Sequence, residues 1–558
     1  MAFGSILSED VDSRDARKAR GAFFTPRPLA EAIAKFAITS KDDMVLEPSC
    51  GEAEFLISAA QRLLELGAFN SQVDEQLRGN ELHPESAKAA VERLESFGCR
   101  PTVTVGDFFE LDPEQQRFDA VIGNPPYIRY QEFAGSQRAK ARESAFAAGV
   151  RIDALASSWA PFVIHASRFL RRGGRLGFVL PAELLTVRYA APVRRFLLGN
   201  FAKVKVTLFE SPVFPEVQEE VVLLCAEGFD CGSSDRLYMS QVYSVEGLET
   251  SESFPASVKR DGRWPVGRAF QDAQDMLDQL DSAKITRLSN YGRIHLGAVS
   301  GANGYFAMSS RRAAELGLEQ DDLRLICPPG SRHLRKLSLS SEDLARLDDL
   351  GKATLLFSPL GSPSEAGRRY IDYGEEIGVD KAYKCRTRNP WWRVPGLQIC
   401  DLFFTYMNGE GPNLCFNGAS VCFLNSVHGL FLDEGKPKEV GRLIPLAALS
   451  TLTLLSSELV GRSYGGGILK LEPREAGQIF VPTPEHLASL SSELSAIEND
   501  LNKCLSGGRR DEATIMMDEV LLPTLGMSDS EMQRAHGLLL ELRARRERRS
   551  KYPKTRRG

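Results

Sequence analysis

The sequence lacks the cysteine pattern of a metal-bound or disulfide-stapled protein. Its 558 residues include 10 cysteines and 7 histidines, with no CxxC pair and no Cys/His cluster. The closest two cysteines, Cys225 and Cys231, match no zinc spacing. No metal is expected, and the thiols are expected to be reduced. The opening stretch, MAFGSILSEDVDSRDARKAR, is too polar for a signal peptide, so a cytoplasmic protein is expected. Long apolar runs are missing too. The most apolar stretch, Leu443 to Val460, contains Pro445, Glu458 and several Ser and Thr, which reads as a buried helix rather than a membrane span. There is no internal repeat and no constellation suited to a nuclease. Net positive charge is also absent: the formal charge is −5, which argues mildly against a nucleic-acid partner, although it is an average.

What is present is the balance of a soluble globular chain, 43% hydrophobic and 26% charged residues, at a length that suits two or three domains. The cations are clustered. Arg129, Arg138, Lys140, Arg142 and Arg151 form one group. Lys381, Lys384, Arg386, Arg388 and Arg393, with Trp391 and Trp392 among them, form a second. The stretch from Arg543 to Arg557 is very basic and reads as a solvated or disordered tail.

The first 225 residues alternate short strand-like runs with helical patterns. Strands are expected at Met44 to Leu46, Leu77 to Asn80, Thr102 to Val105, Ala120 to Ile122, Arg175 to Leu180, Val204 to Phe209 and Glu220 to Cys225. Helices are expected at Ala53 to Leu66, Pro84 to Phe97 and Ser157 to Arg172, the last stopped by Gly173-Gly174. This alternation predicts an α/β fold with a doubly wound, largely parallel sheet. From about 228 to 263 the pattern lapses into Ser, Gly and acidic residues, which marks a boundary. Residues 264–481 are irregular and rich in Gly, Pro and short strand-like runs, and the chain turns helical again from His486. The expected divisions are 1–230, 260–482 and 483–558.

Val45-Leu46-Glu47-Pro48-Ser49-Cys50-Gly51 reads as a strand entering a tight turn and then a helix. Ligands of open α/β sheets bind at strand carboxyl ends, and the small residues Ser49 and Gly51 let a ligand approach the backbone. Alone, this fits many nucleotide folds. Glu81 and Asp107 follow the next two strands. An acidic group at the second strand end suits a ribose, whose hydroxyls donate to a carboxylate. One after the third strand can accept from an adenine amine. Either alone is equally a helix cap; the ordered set Glu47, Glu81, Asp107 makes coincidence a poor explanation.

In chain order, Phe23-Phe24-Thr25-Pro26, the Glu47 turn, Glu81, Asp107 and Asn124-Pro125-Pro126-Tyr127 resemble the gamma class of DNA amino-methyltransferases, the Taq-type adenine enzymes of restriction–modification systems. The resemblance covers the first 225 residues with specific motifs and the rest more loosely. It implies a Rossmann-like methyltransferase domain followed by a mixed α+β target-recognition domain with C-terminal helices. It also implies S-adenosylmethionine as cofactor, double-stranded DNA as partner and a prokaryotic host. By the same resemblance, Thr25 helps hold the methionine end of the cofactor, and Glu47 and Ser49 contact its methionine part. Gly51 belongs to the cofactor turn, Glu81 matches the ribose ligand, and Asp107 matches the contact to the cofactor's adenine amine. Phe162 matches an apolar wall of the adenine pocket. One departure stands out: the family usually has a glycine where this chain has Ala53, and alanine at positive φ is strained. Glu52 and Glu54 also add negative charge beside a cationic sulfonium.

The chemistry expected at Asn124 to Tyr127 follows from the weak nucleophilicity of an aromatic amine, whose lone pair is delocalised into the ring. The Asn124 side-chain oxygen and the Pro125 carbonyl can accept from its two N–H groups and orient the lone pair at the methyl group. Two prolines stiffen the loop, and Tyr127 offers a ring for stacking. An adenine in a duplex must be flipped out at a cost of roughly a few kcal/mol. Stacking returns about 1–3 kcal/mol per base, so a second ring helps, and by resemblance Phe214 in Val213-Phe214-Pro215-Glu216 supplies it.

A small-molecule methyltransferase has no need of the second half, whereas a DNA enzyme must grip a duplex and read base edges. Residues 297–306 and 461–473 resemble recurring stretches of target-recognition regions. A separate cognate endonuclease is compatible with the sequence. On the motif alone, a same-fold methyltransferase of RNA or of a protein glutamine amide remains open. So does a catalytically silent DNA-binding subunit, towards which only Ala53 leans.

Overall fold

The computed structural model describes residues 25–211, 213–214, 220–258, 262–435, 438–464 and 466–548. Phe23, Phe24, Pro215, Glu216, Gly465 and the end of the basic tail lie outside the described residues. The chain divides into two compact units, Met1–Gln271 and Asp272–Gly558.

The first unit is built on nine strands: β1 (Val45–Glu47), β2 (Leu77–Glu81), β3 (Thr102–Val105), β4 (Phe118–Gly123), β5 (Leu170–Pro181), β6 (Phe201–Phe209), β7 (Val221–Phe229), β8 (Arg236–Val242) and β9 (Phe254–Ser257). They form one sheet in the order β3-β2-β1-β4-β5-β7-β6-β8-β9. Strands β1 to β5 are mutually parallel, β7 runs antiparallel between β5 and β6, and β9 is antiparallel to β8. Both faces are covered. Val45, Ile122 and Val179 enter one apolar core with Leu29, Ile33, Leu56 and Leu94. Their strand neighbours Leu46, Val121, Phe178 and Leu180 enter the other, with Trp159, Phe162, Val193 and Leu197. This period-two division of apolar residues between faces is what a doubly wound sheet requires.

Helix limits follow local chemistry. The helix Pro84–Phe97 begins on a proline at its first position and ends where Gly98 takes a φ of +99°. The helix expected over Ser157 to Arg172 is shorter, Trp159–Ser167, because β5 already begins at Leu170, paired with Phe118 of β4. The polar stretch 228–263 supplies β8 and β9, since Leu237, Met239 and Ala256 turn their apolar side chains into the core. The sheet reverses its winding between the neighbouring strands β1 and β4, and the candidate site residues Glu47 and Asn124 lie at their carboxyl ends.

The second unit holds several small sheets. The four-stranded one contains Gly292–Leu296, His428–Leu432, Leu402–Phe404 and Leu414–Phe416. The apolar stretch from Leu443 to Val460 is not one helix. Lys438–Ala447 and Thr451–Val460 are bent by 76° at the break between them, and Ser450 caps the second. Among the described residues no single helix is long and apolar enough to cross a membrane.

Of the basic stretch, residues 543–548 belong to the helix Asp529–Arg548, which for them corrects the expectation of a solvated tail. Arg543 and Arg546 are only 8% and 5% exposed. Arg546 grips Glu458 with two bonds, Nε to Oε2 at 3.0 Å and Nη2 to Oε1 at 2.8 Å. It also donates to the carbonyls of Gly409 and Gly467. Arg543 donates to Glu410 O at 2.7 Å, and Arg510 donates to Gly411 O and Pro412 O. Three guanidinium groups thus satisfy the carbonyls of one loop, 409–412, and of the glycine turn at 467. These bonds offset much of the cost of burying the three guanidinium groups, although only Arg546 has its Nε bonded as well, and those of Arg510 and Arg543 have no partner among the described residues.

Candidate active site

The turn after β1 is tied together by its own backbone. Ala53 N donates to Cys50 O at 2.6 Å, Gly51 sits at φ +50°, and Ala53 sits at φ +66°. The left-handed position expected to favour glycine is therefore occupied by a side chain, at a cost of about 1–2 kcal/mol for the αL conformation. The Ala53 methyl is fully buried in the core beneath the turn, which offsets part of that cost.

Glu47 ends β1 and is 2% exposed. Its Oε2 accepts from Leu56 N at 3.0 Å, in the first turn of the helix Glu54–Glu65. Burial pushes its carboxyl well above the usual range, and Glu81 and Glu54 add to that. Glu81 ends β2, with Gly51 N donating to Oε2 at 2.9 Å and His83 N donating to Oε1 at 3.0 Å. Asp107 follows β3 and caps the short helical turn Phe108–Glu110, accepting from Phe109 N at 3.1 Å. Beside it, Phe162 packs 4.8 Å from the ring of Phe108 and 5.8 Å from that of Phe109.

Two residues that the sequence did not flag organise this region. Asn80 of β2 is 2% exposed, and its Nδ2 donates to Gly106 O at 3.1 Å and Pro48 O at 3.4 Å. One amide thus links the loops after β1 and β3. Arg93 donates to Glu52 O at 2.6 Å and to Glu54 Oε2 at 2.7 Å, so the acidic pair flanking Ala53 is partly neutralised. Neither has a local signal, since the partners lie 26 to 41 residues away in the chain.

Strand β4 delivers Gly123 and then Asn124 to Tyr127. The Asn124 carboxamide is held at both ends. Its Nδ2 donates to Thr25 Oγ1 at 3.3 Å, and the Tyr127 hydroxyl lies 2.5 Å from its Oδ1 and 3.0 Å from Val179 O. Ser49 Oγ donates to the Asn124 carbonyl at 3.4 Å. Thr25, Ser49, Asn124 and Tyr127, singled out from three separate segments, therefore form one hydrogen-bonded group. Pro125 is buried. Ser158, also missed in the sequence, clamps the rest of the loop: Ile128 N donates to its Oγ at 2.9 Å, its hydroxyl donates to Pro126 O, and its own N–H donates to Ile128 O at 3.0 Å. Phe214 is 5% exposed and belongs to the core cluster against which Tyr127 packs.

In the second unit, two stretches noted in the sequence come together. Arg388 donates to Ser300 O at 2.7 Å and to Val299 O, and Trp391 packs 5.8 Å from Tyr305 and 6.1 Å from Phe306. The 461–473 stretch forms a hairpin, Arg462–Tyr464 with Ile468–Lys470, whose second strand pairs with Met407–Asn408. Among the described residues no group of three or more His, Cys, Asp or Glu is arranged to hold a metal ion.

With this geometry in hand, comparison with known proteins is decisive. Residues 10–198 match the family described as N-6 DNA Methylase, and residues 268–522 match the C-terminal domain of the Type II methyltransferase M.Eco57I. The first unit thus carries an N-6 DNA methylase domain and the second a domain of the M.Eco57I C-terminal type, the pairing found in a DNA methyltransferase of restriction–modification systems. It is 26% identical over 502 residues to the Type II methyltransferase M.XamI of Xanthomonas campestris pv. amaranthicola, covering 87% of this chain and 88% of that one. It is 23% identical to the Type II methyltransferase M.AccI of Acinetobacter calcoaceticus, covering 83% and 85%. The fold is similar to that of the Type IIL restriction-modification enzyme MmeI, with a TM-score of 0.53, 12% identity, and coverage of 93% of this chain and 75% of the other. The doubly wound architecture expected from the sequence is thus the observed one.

Proposed function

We propose that this chain transfers the methyl group of S-adenosylmethionine to N6 of an adenine flipped out of duplex DNA, protecting that DNA from a separate cognate endonuclease. The observation that carries the reading is the two-ended grip on the Asn124 side chain by Thr25 and Tyr127. It fixes which end of the amide is the acceptor before any substrate arrives, which is the preorganisation that catalysis on a weak nucleophile needs.

The residues present fit the cofactor. Carboxyls stand at three successive strand ends, and at the most buried, Glu47, desolvation outweighs the hydrogen bond from Leu56 and the smaller pull of Arg93, so a bound cation would favour its ionised form. When bound, S-adenosylmethionine supplies an electrophilic methyl group on a cationic sulfur. Glu47, Ser49 and Thr25 would hold its methionine part, Gly51 its approach to the backbone, Glu81 its ribose, and Asp107 and Phe162 its adenine. Asn124 Oδ1 and the Pro125 carbonyl accept from the target amine and turn its lone pair towards the methyl carbon. Tyr127 and Phe214 would sandwich the extruded base. The amine nitrogen would take the methyl group as the sulfonium leaves as a neutral thioether, and the surplus proton of the amine would pass to solvent. Residues 1–230 would serve the chemistry, 260–482 the recognition of DNA, and 483–558 the support of that second region.

The test is incubation of the full chain with unmethylated duplex DNA and S-adenosylmethionine, alongside an RNA control, followed by sequencing that detects modified adenines. Methyladenine at one recurring site is the expected result. Methylation of RNA alone, or no transfer at all, would overturn the reading.

A further inference from the structure

The stretch Lys381 to Arg393, KAYKCRTRNPWWR, carries five cations and no acidic residue in a chain whose net charge is −5. It is firmly mounted. Cys385 is fully buried, Arg388 is spent on the carbonyls of Val299 and Ser300, and the Trp391 indole donates to Glu375 at 3.0 Å. That leaves Lys381, Lys384, Arg386 and Arg393 exposed, and none of them forms an ion pair among the described residues. Between two of them stands Tyr383, 66% exposed, with Lys384 Nζ at 5.6 Å and Arg386 Cζ at 5.4 Å from its ring centre. Arg393 lies in the same way 5.5 Å from the ring of Trp392.

Long cationic side chains lose rotamer freedom on binding. A ring that already gathers them removes part of that cost, and a cation over an exposed aromatic face is held there by the ring's quadrupole. Resting on the reading of the chain as a DNA enzyme, we propose that this strip is a phosphate grip: Lys381, Lys384, Arg386 and Arg393 engage the sugar–phosphate backbone, and Tyr383 preorders Lys384 and Arg386 for it. The strip sets how tightly and in what register the duplex is held, and leaves base reading to other residues.

Charge and preorder have different signatures. Each phosphate contact contributes about 0.9 to the slope of log affinity against log salt on duplex DNA. The full chain, titrated with duplex DNA over a salt series, should therefore lose about 1.8 from that slope in Lys384→Gln/Arg386→Gln, with affinity lowered roughly 10- to 100-fold at 0.1 M salt. Tyr383→Leu should weaken binding several-fold with the slope unchanged, and both variants should methylate the same sequence as the parent. A double variant with the parental slope, or either variant with a changed recognition sequence, would overturn the grip. A parental chain that neither binds nor methylates DNA would instead remove the DNA reading itself.

Discussion

The Tyr127 hydroxyl lies 2.5 Å from the side-chain oxygen of Asn124, the atom assigned to accept from the target amine. Besides the proposed stacking, the aromatic residue of the motif would therefore have a second task, which is to fix the acceptor. Tyr127→Phe keeps the ring and removes only this hold. It should lower single-turnover methylation by roughly tenfold, in line with the cost of a misplaced catalytic group, with cofactor affinity unchanged. Asn124→Ala should abolish transfer and likewise spare cofactor binding. If Tyr127→Phe proves as fast as the parent, the hydroxyl has no positioning role.

Ser158 bonds both Pro126 and Ile128 from the start of the helix Trp159–Ser167. In Ser158→Ala, two half-buried backbone groups lose their side-chain partner, a cost of about 1 kcal/mol. Turnover should fall roughly tenfold while cofactor affinity, read by calorimetry, stays within twofold. Equal losses in both would mark a general loosening of the unit instead.

Glu47→Gln separates capping from charge. Glutamine can still accept from Leu56 N, so thermal stability without cofactor should be kept or improved, since no buried carboxyl remains to be ionised. Cofactor affinity should drop at least about tenfold, about 1.4 kcal/mol. Calorimetry showing parental affinity would remove Glu47 from the cofactor site.

His165 is packed against Phe108, Phe109 and Phe169, and burial lowers its pKa from 6.5 to about 4. Between those values the unfolded chain takes up a proton that the folded chain refuses. Stability from this group is complete above pH 6.5 and is lost as pH falls towards 4, by up to about 3 kcal/mol. His333 is depressed in the same way, so the informative quantity is a difference. Denaturant midpoints of His165→Gln should fall less than those of the parent over this range; parallel curves would show that His165 is not the group responsible.

Much of the first unit was legible because its signals are local. Pro84 and Gly98 mark the two ends of one helix, and Thr102 to Val105 is a strand with the limits expected. The motif Asn124 to Tyr127 stood out for the same reason. The misreadings share one cause: local pattern yields to partners far along the chain. Leu170 left its helix because Phe118 offered it a strand to pair with. Within polar 228–263, Arg236–Val242 and Phe254–Ser257 joined the sheet because three apolar side chains found a core. Asn80, Arg93 and Ser158 make bonds across tens of residues, and nothing in their neighbours announces them. Ala53 shows the reverse: its departure from glycine was visible in the sequence, and the backbone keeps the glycine-like conformation all the same.

The guanidinium groups that hold the 409–412 loop have a bearing on how the protein is made. The last strand of the first sheet ends at Ser257, before the middle of the 558-residue chain, so that sheet has all its strands while synthesis is still under way. The loop at 409–412 must wait for Arg510, Arg543 and Arg546. Until these emerge, its carbonyls and the Glu458 carboxylate are served only by water. A chain halted between these points would carry the first sheet with all its strands beside a second unit whose 409–412 loop is still open to water.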